Sequence, residues 1–365
     1  MVLVAVGVVF VATTMLSACR NPPRIPMDSD DWGAPDYSFR KRIDARATPG
    51  DLVDFPLLVS MDSDNDLATG ALSTGADFLF TASDGATTLA HERETWDPET
   101  GTLTAWVRIP RLSSDAPTSI YLYYGNVSAT DRSDPAGVWT DIAAAVWHLS
   151  GDPATALVDS GPGGHDGVPI SGPTSAEGNV GRGLSFDGTS RVDMGNPSEL
   201  HFGLDSFSYS LWVRVEESIG EFDIPFHFGG SSEGTAGYDI ELGTSVWGPG
   251  VSDGGNIETR EFGNEDRFLG RWVHLVCVVN RAQNEMVAYA DGQVQDTAAF
   301  GLDAIIPESN ATFGADDGAG SPLSGTLDEV RIYPRALAPA WISAVHANLS
   351  SPSTFLSVGV LETSP

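Results

Sequence analysis

Cys19 and Cys277 are the only cysteines in a chain of 365 residues. Two thiols exclude a disulfide framework and a cysteine-based zinc site. Lysine is scarcer still. Lys41 is the one lysine among 19 basic residues, set against 50 acidic ones, and the formal net charge is −31. A surface this acidic excludes a general nucleic-acid binder, whose affinity comes from counterion release by a basic face. It also gives no attraction to anionic lipid headgroups. No H-E-x-x-H, no G-x-S-x-G and no Walker or dinucleotide fingerprint occurs. What the chain does have is 41% hydrophobic and 9% aromatic residues, enough for packed cores and too much for disorder. Its 40 glycines and 23 prolines predict many turns, and its length allows two domains.

Residues 1–18 carry no charged side chain, and the apolar run stops at Cys19, before Arg20-Asn21-Pro22-Pro23. A transmembrane helix needs about 20 apolar residues, so the run is marginal as a span. A secretory signal would end in an A-x-A-like site, and none is clear. Leu16-Ser17-Ala18-Cys19 resembles the bacterial lipobox, in which the cysteine thiol is acylated and becomes the new N-terminus. The expectation is a lipoprotein signal over 1–19, lipidation at Cys19, and a membrane contact made by the lipid. The chain would then sit in the cell envelope, at the outer membrane or cell surface. Residues 20–37 are rich in proline and aspartate and read as a flexible tether.

Residues 38–126 alternate with the period of two expected of strands. Leu103, Ala105, Val107 and Ile109 share one face of one strand, and Thr102, Thr104, Trp106 and Arg108 the other. Ile120, Leu122 and Tyr124 oppose Tyr121 and Tyr123. No convincing helical period of about ten residues interrupts them, so a small antiparallel β-sandwich is expected. Four pieces carry a resemblance: Phe39-Arg40-Lys41-Arg42-Ile43, Ala76-Asp77-Phe78-Leu79-Phe80-Thr81, Ala105-Trp106-Val107-Arg108-Ile109-Pro110 and Ile120-Tyr121-Leu122-Tyr123-Tyr124-Gly125-Asn126. Together they resemble domain of unknown function 2341, which implies a β-rich extracytoplasmic module and brings no known chemistry.

Residues 143–348 continue in strands. In Phe207–Val215 the odd positions are apolar, and Ser208, Ser210, Trp212 and Arg214 make a wetter face. The run 272–279 is apolar in both phases, as in a central strand covered on both sides. Asp291-Gly292 predicts a type I′ hairpin, and residues 339–347 a short helix. A two-sheet sandwich or jelly roll follows. Val146-Trp147-His148-Leu149, Asp159-Ser160-Gly161, His165-Asp166-Gly167, Gly183-Leu184-Ser185-Phe186-Asp187-Gly188, Tyr209-Ser210-Leu211-Trp212-Val213, Arg271-Trp272-Val273-His274-Leu275 and the run 325–337 appear in this order. That series resembles the laminin-G-like branch of the concanavalin A-like lectin/glucanase fold. It implies two stacked antiparallel sheets, in a group where glycan or protein binding and calcium sites are common. The fold class expected is therefore all-β, with two antiparallel sandwich domains, the second a jelly roll. Residues 127–142 are a connector short enough for the two units to touch. Residues 349–365 are a tail in which 355–361 can close a sheet edge on either unit.

Asp328 is the acid of most interest, since it shares strand phase with Val330 and Ile332 and would point into the core. A buried carboxylate needs a hydrogen bond, an ion partner or a metal. Arg331 and backbone N–H groups are the ordinary partners. The resemblance implies calcium as the cofactor instead, held by Asp187, the Gly188 carbonyl region and Asp328. For a sugar, Trp247 in a glycine-rich loop, with Tyr238 and Asp239 near in sequence, offers an aromatic platform beside a polar group. The laminarinase-type pattern Glu-x-Asp-x-x-Glu is met only as far as Glu221-Phe222-Asp223-Ile224-Pro225-Phe226, whose last position lacks the acid. Tyr238-Asp239-Ile240-Glu241 gives only a pair. His274 and Cys277, in the central strand, read as core residues. The function expected is a non-enzymatic, lipid-anchored envelope protein whose second domain binds a glycan or surface protein, with calcium as the cofactor implied. The alternatives are an assembly component of an envelope complex and a glycan hydrolase of the same fold.

Overall fold

Alternation along the strands sets the architecture. The computed structural model describes residues 32–155, 157–216, 222–230, 234–243, 247–263 and 269–365, apart from the side chains of Phe222 and Trp247. The lipobox, Cys19 and most of the expected tether lie outside the described residues. Four antiparallel sheets form two sandwiches. Three strands, Leu52–Met61, Thr102–Leu112 and His91–Asp97, make one sheet of the first sandwich. The other is built around Phe39–Ala45 and Thr118–Tyr124, with Leu79–Ala82 at one side. Both short strands near the C-terminus, Leu356–Val358 and Glu362–Thr363, pair with Phe39–Ala45. The tail thus closes the first unit.

The second sandwich stacks an eight-stranded sheet on a seven-stranded one. Phe207, Tyr209, Leu211 and Val213 from Phe207–Val215 meet Phe226, Tyr238 and Ile240 in one buried cluster. The hairpin after Glu285–Ala290 turns at Asp291 and Gly292, whose φ values of 50° and 73° are those a type I′ turn requires. In Ser324–Tyr333, Leu327, Val330 and Ile332 face this core, so the phase changes between 327 and 330. The change is a bulge at Asp328-Glu329: the pairing with Phe207–Val215 slips there, and Glu329 takes φ 52°. Asp328 is therefore not in phase with Val330 and Ile332, as alternation alone suggests.

Residues 32–365 form one compact unit. On the outer face of the strand Phe207–Val215, Ser208, Ser210 and Trp212 are all buried and only Arg214 is partly exposed, which corrects the expected wet face. Trp212, Val276, Val278, Val287 and Tyr289 share one apolar cluster with Trp106, Leu58 and Phe55 of the first unit and with the helix Pro339–Ser350. The strand 273–280 is apolar in both phases for this reason. Trp32, Ala34 and Tyr37, at the end of the expected tether, are folded instead. They pack on Tyr121 and Tyr123, with the Arg40 guanidinium 4.3 Å above the Tyr121 ring.

Candidate functional site

Two places gather polar side chains. The first is the outward face of the seven-stranded sheet. The pairing register runs Asp193 to Thr312, Thr312 to His227, His227 to Asp239, and Asp239 to Gly250. Their strand neighbours Val192, Phe313, Phe226 and Tyr238 are in the sandwich core, so alternation turns this row to the outer face of the sheet, where Asp193 and His227 are partly exposed and Thr312 and Asp239 are buried. Asn310 Nδ2 donates to both carboxylate oxygens of Asp193 at 3.1 Å, and His227 Nε2 lies 3.3 Å from Ser309 Oγ. Burial pushes the His227 imidazole below its ordinary value, against the pull of Asp316 and Asp317. No hydrophobic cluster forms on this face among the described residues.

Tyr238 does not serve as a sugar platform. The same alternation that turns Asp239 outward buries the Tyr238 ring beside Phe207 and Tyr209, at 5.0 and 5.2 Å, and its hydroxyl donates to the Leu200 carbonyl. Trp247 begins the strand Trp247–Asp253 opposite Leu242, and its side chain lies outside the described residues. Asp187 and Asp328 do not converge either. Asp187 pairs with Ser324, four positions from Asp328, which is about 13 Å along the strand. Asp187 accepts from Thr189 and Ser190 and closes its own turn at Gly188, where φ is 81°. Asp328 accepts from the Val180 backbone at 2.8 Å, and burial, then Glu329, raises its carboxyl well above the ordinary range.

The second place is the seam between the two sandwiches. His148 follows the short strand Ala145–Trp147, whose pairing with Ser324–Tyr333 brings it beside Glu329. Its Nδ1 lies 2.8 Å from Glu329 Oε1 and 3.8 Å from Glu94 Oε2, and its Nε2 lies 3.3 Å from Glu92 Oε2. Glu92 accepts from Trp139 Nε1 and from Ser160 Oγ, both at 2.6 Å. Glu94 Oε2 accepts from Trp106 Nε1 at 2.8 Å. Arg331 pairs with Glu329 through Nε and Nη2, its guanidinium 4.4 Å above the Trp106 ring. The Asp159-Ser160-Gly161 and His165-Asp166-Gly167 pieces fix Ser160 here. Asp159 accepts from the backbone of Val146, Gly161 and His165, and Asp166 accepts from Asp159.

The charges at the seam shape one another. Burial works against the Glu92 carboxylate, yet His148 and the hydrogen bonds bring it down to about 2. Burial pushes Glu94 up to about 7. For Glu329, burial is outweighed by His148 and Arg331, and the group stays below its ordinary value. Burial opposes charge on His148 as well, but Glu329, Glu92 and Glu94 together hold it well above its ordinary value. A cavity of about 250 Å³ opens on this cluster, with Glu92, Glu94, His148, Ser150 and Ser160 in its lining. None of these seam residues stands out in the sequence as a site. The one signal is Asp328-Glu329 and Arg331 in an otherwise apolar strand, charges in both phases where a central strand should have none.

Residues 74–147 match the model of domain of unknown function 2341. Residues 186–343 match that of the concanavalin A-like lectin/glucanases superfamily. No curated protein matches the chain. Among solved structures, the binding domain of Paraclostridial Mosquitocidal Protein 1 is 16% identical with a TM-score of 0.46, over 57% of this chain and 52% of that one. The binding domain of Botulinum Neurotoxin serotype G is 12% identical with a TM-score of 0.45, over 56% and 50%. Domain 4 of AbnA, an extracellular arabinanase of Geobacillus stearothermophilus, in complex with arabinotriose, is 20% identical with a TM-score of 0.44, over 56% and 98%. The chain spans about half the length of the first two. Two families therefore meet in this chain: residues 74–147 belong to domain of unknown function 2341, and residues 186–343 to the concanavalin A-like lectin/glucanases superfamily.

Proposed function

We propose that the second domain binds a glycan across the outward face of its seven-stranded sheet, and that the protein is a lipid-anchored, non-enzymatic component of the cell envelope. The observation that carries the glycan reading is the polar row Asp193, Thr312, His227 and Asp239, one residue on each of four adjacent strands, in which Asp193 and His227 are partly exposed and the buried Thr312 and Asp239 back them. Such a row spans about 14 Å and sets carboxylate and imidazole groups at the spacing of neighbouring strands. Sugar hydroxyls are recognised by planar polar groups of this kind, held rigidly by a sheet. The superfamily to which residues 186–343 belong supports the same reading. The anchor rests on the lipobox-like Leu16-Ser17-Ala18-Cys19.

The test is a glycan array probed with the full chain, with and without calcium, beside His227→Ala and Asp193→Asn. Binding to a defined glycan class that each substitution weakens about tenfold or more supports the reading, since a hydrogen bond to a charged group contributes about 1.5–3 kcal/mol. An array with no signal, or binding that both variants keep, removes it. Release of reducing ends from the bound glycan would replace binding with hydrolysis.

A further inference from the structure

We propose that Glu94, His148 and Glu329 form a binding site for one first-row divalent metal ion of the zinc class, at the seam between the two sandwiches. The ligand atoms come from both sides of that seam. Glu94 lies on the first unit's strand His91–Asp97, while His148 and Glu329 lie on paired strands of the jelly roll. One donor atom from each of the three lies within 4.8 Å of the others. A tetrahedral ion with bonds of about 2.1 Å keeps its ligands about 3.4 Å apart. The separations of 2.8 and 3.8 Å from His148 Nδ1 bracket that value.

The surroundings also fit an ion better than an ion pair alone. Glu94 Oε1 has no hydrogen-bond partner although the side chain is only 3% exposed, and Glu94 lines the cavity. A buried carboxylate oxygen without a partner is costly unless something charged meets it. Glu92 stands at the far side of the imidazole, at Nε2, and is itself pinned by Trp139 and Ser160. A carboxylate at one ring nitrogen fixes the tautomer and turns the other nitrogen's lone pair toward a metal. Mixed imidazole and carboxylate donors suit zinc, manganese or iron, whereas calcium takes oxygen donors alone. The bulge has a role in this reading. Glu329 holds a left-handed backbone conformation, φ 52°, that a non-glycine residue adopts at some cost. That conformation turns its carboxylate to His148 and not into the sandwich core. The cavity supplies the open coordination position.

The experiment strips the full chain with chelator, reloads it and counts bound metal by elemental mass spectrometry, with Zn²⁺, Mn²⁺ and Ca²⁺ titrated in parallel calorimetry. Loading with Co²⁺ adds a visible spectrum that reports nitrogen and oxygen ligands. One equivalent of Zn²⁺ or Mn²⁺ per chain, not displaced by Ca²⁺, is expected. Glu94→Gln and His148→Gln should each abolish stoichiometric loading. Glu92→Gln should keep the stoichiometry and weaken affinity about 10–100-fold. Asp187→Asn, on the remote turn, should match the parent. Circular dichroism checks that each variant is folded. Should His148→Gln not fold, Glu94→Gln carries the test, because its amide oxygen still accepts from Trp106. No ion above background, several weak sites that compete with calcium, or full loading in folded Glu94→Gln would each overturn the site.

Discussion

Trp106 and His148 lie nearly parallel, 17° apart with ring centroids separated by 5.3 Å, the indole from the first sandwich and the imidazole from the second. Trp139, from the connector, closes the group at 5.6 Å from Trp106. An aromatic stack across a seam, with His148 Nδ1 3.8 Å from the Glu94 carboxylate that Trp106 holds, makes the two units share one interior. The connector is part of that interior, since Trp139 is buried in the helix Pro135–Trp139.

A shared interior predicts one unfolding transition. Far-UV dichroism and tryptophan fluorescence should give the same midpoint in a denaturant titration. Trp106→Ala should cost about 3–5 kcal/mol, the range for deleting a large buried aromatic, and it also leaves Glu94 Oε2 without its donor. Two separated transitions in the parent chain would show that the sandwiches fold independently.

Asn348 supplies a second link. Its Oδ1 accepts from the Leu58 N–H at 2.8 Å and its Nδ2 donates to the Leu58 carbonyl at 3.1 Å. The amide copies a strand partner at the edge of Leu52–Met61, where the helix Pro339–Ser350 covers that edge. Asn348→Ala leaves two buried backbone groups unpaired, at about 1–3 kcal/mol each. Hydrogen exchange at the Leu58 amide should accelerate in the variant. An unchanged rate there would mean that the edge is protected by other means.

Strand phase was legible in the sequence wherever it was regular. Alternation located 207–215, and an apolar run in both phases marked 272–279 as covered on two sides. What alternation cannot encode is a bulge. Adding one residue at Asp328-Glu329 reverses the phase of everything beyond it, and with it the face on which the acids lie. The seam was hidden for a different reason. Glu92 and His148 are 56 positions apart and His148 and Glu329 are 181 apart, so no local spacing joins them. Tyr238 and Asp239 show how little separates the two outcomes, because neighbouring residues on one strand lie on opposite faces of the sheet, Tyr238 in the sandwich core and Asp239 buried on the other side. The residues of 32–37 read as tether by composition. Their aromatic rings, Trp32 and Tyr37, are what hold them on Tyr121 and Tyr123 of the sheet, which they help to bury.

Removing residues 351–365 should damage the first sandwich and not the second. The lost segment pairs with Phe39–Ala45 at both ends, carries the buried Phe355, and supplies Glu362, whose carboxylate is 2.6 Å from Arg40 Nε. Its loss uncovers a strand edge, which invites association. The truncated chain should show a lower thermal midpoint and concentration-dependent light scattering. A fragment of residues 32–142 should behave worse, lacking both this edge and the helix that covers Leu52–Met61. A soluble, cooperatively folded 32–142 fragment would contradict the arrangement.

His91 gives a stability term that depends on acid. The ring is buried beside Phe80 at 5.1 Å, and Nε2 has no hydrogen-bond partner. Burial pushes the imidazole from its ordinary 6.5 down to about 4. Between those two pH values the unfolded chain holds a proton that the folded chain refuses, so stability falls as pH falls. The loss at this one residue reaches about 3 kcal/mol by pH 4. Other groups move in the same range. Glu94, raised to about 7, takes up its proton in the folded state first and adds stability as pH falls. The difference between His91→Phe and the parent isolates the histidine, because Glu94 titrates in both. That difference should be constant above pH 7 and shift in favour of the variant from pH 6.5 to 4, read as urea midpoints at matched pH. A difference that stays flat across the window would mean that His91 is protonated, and solvated, in the folded protein.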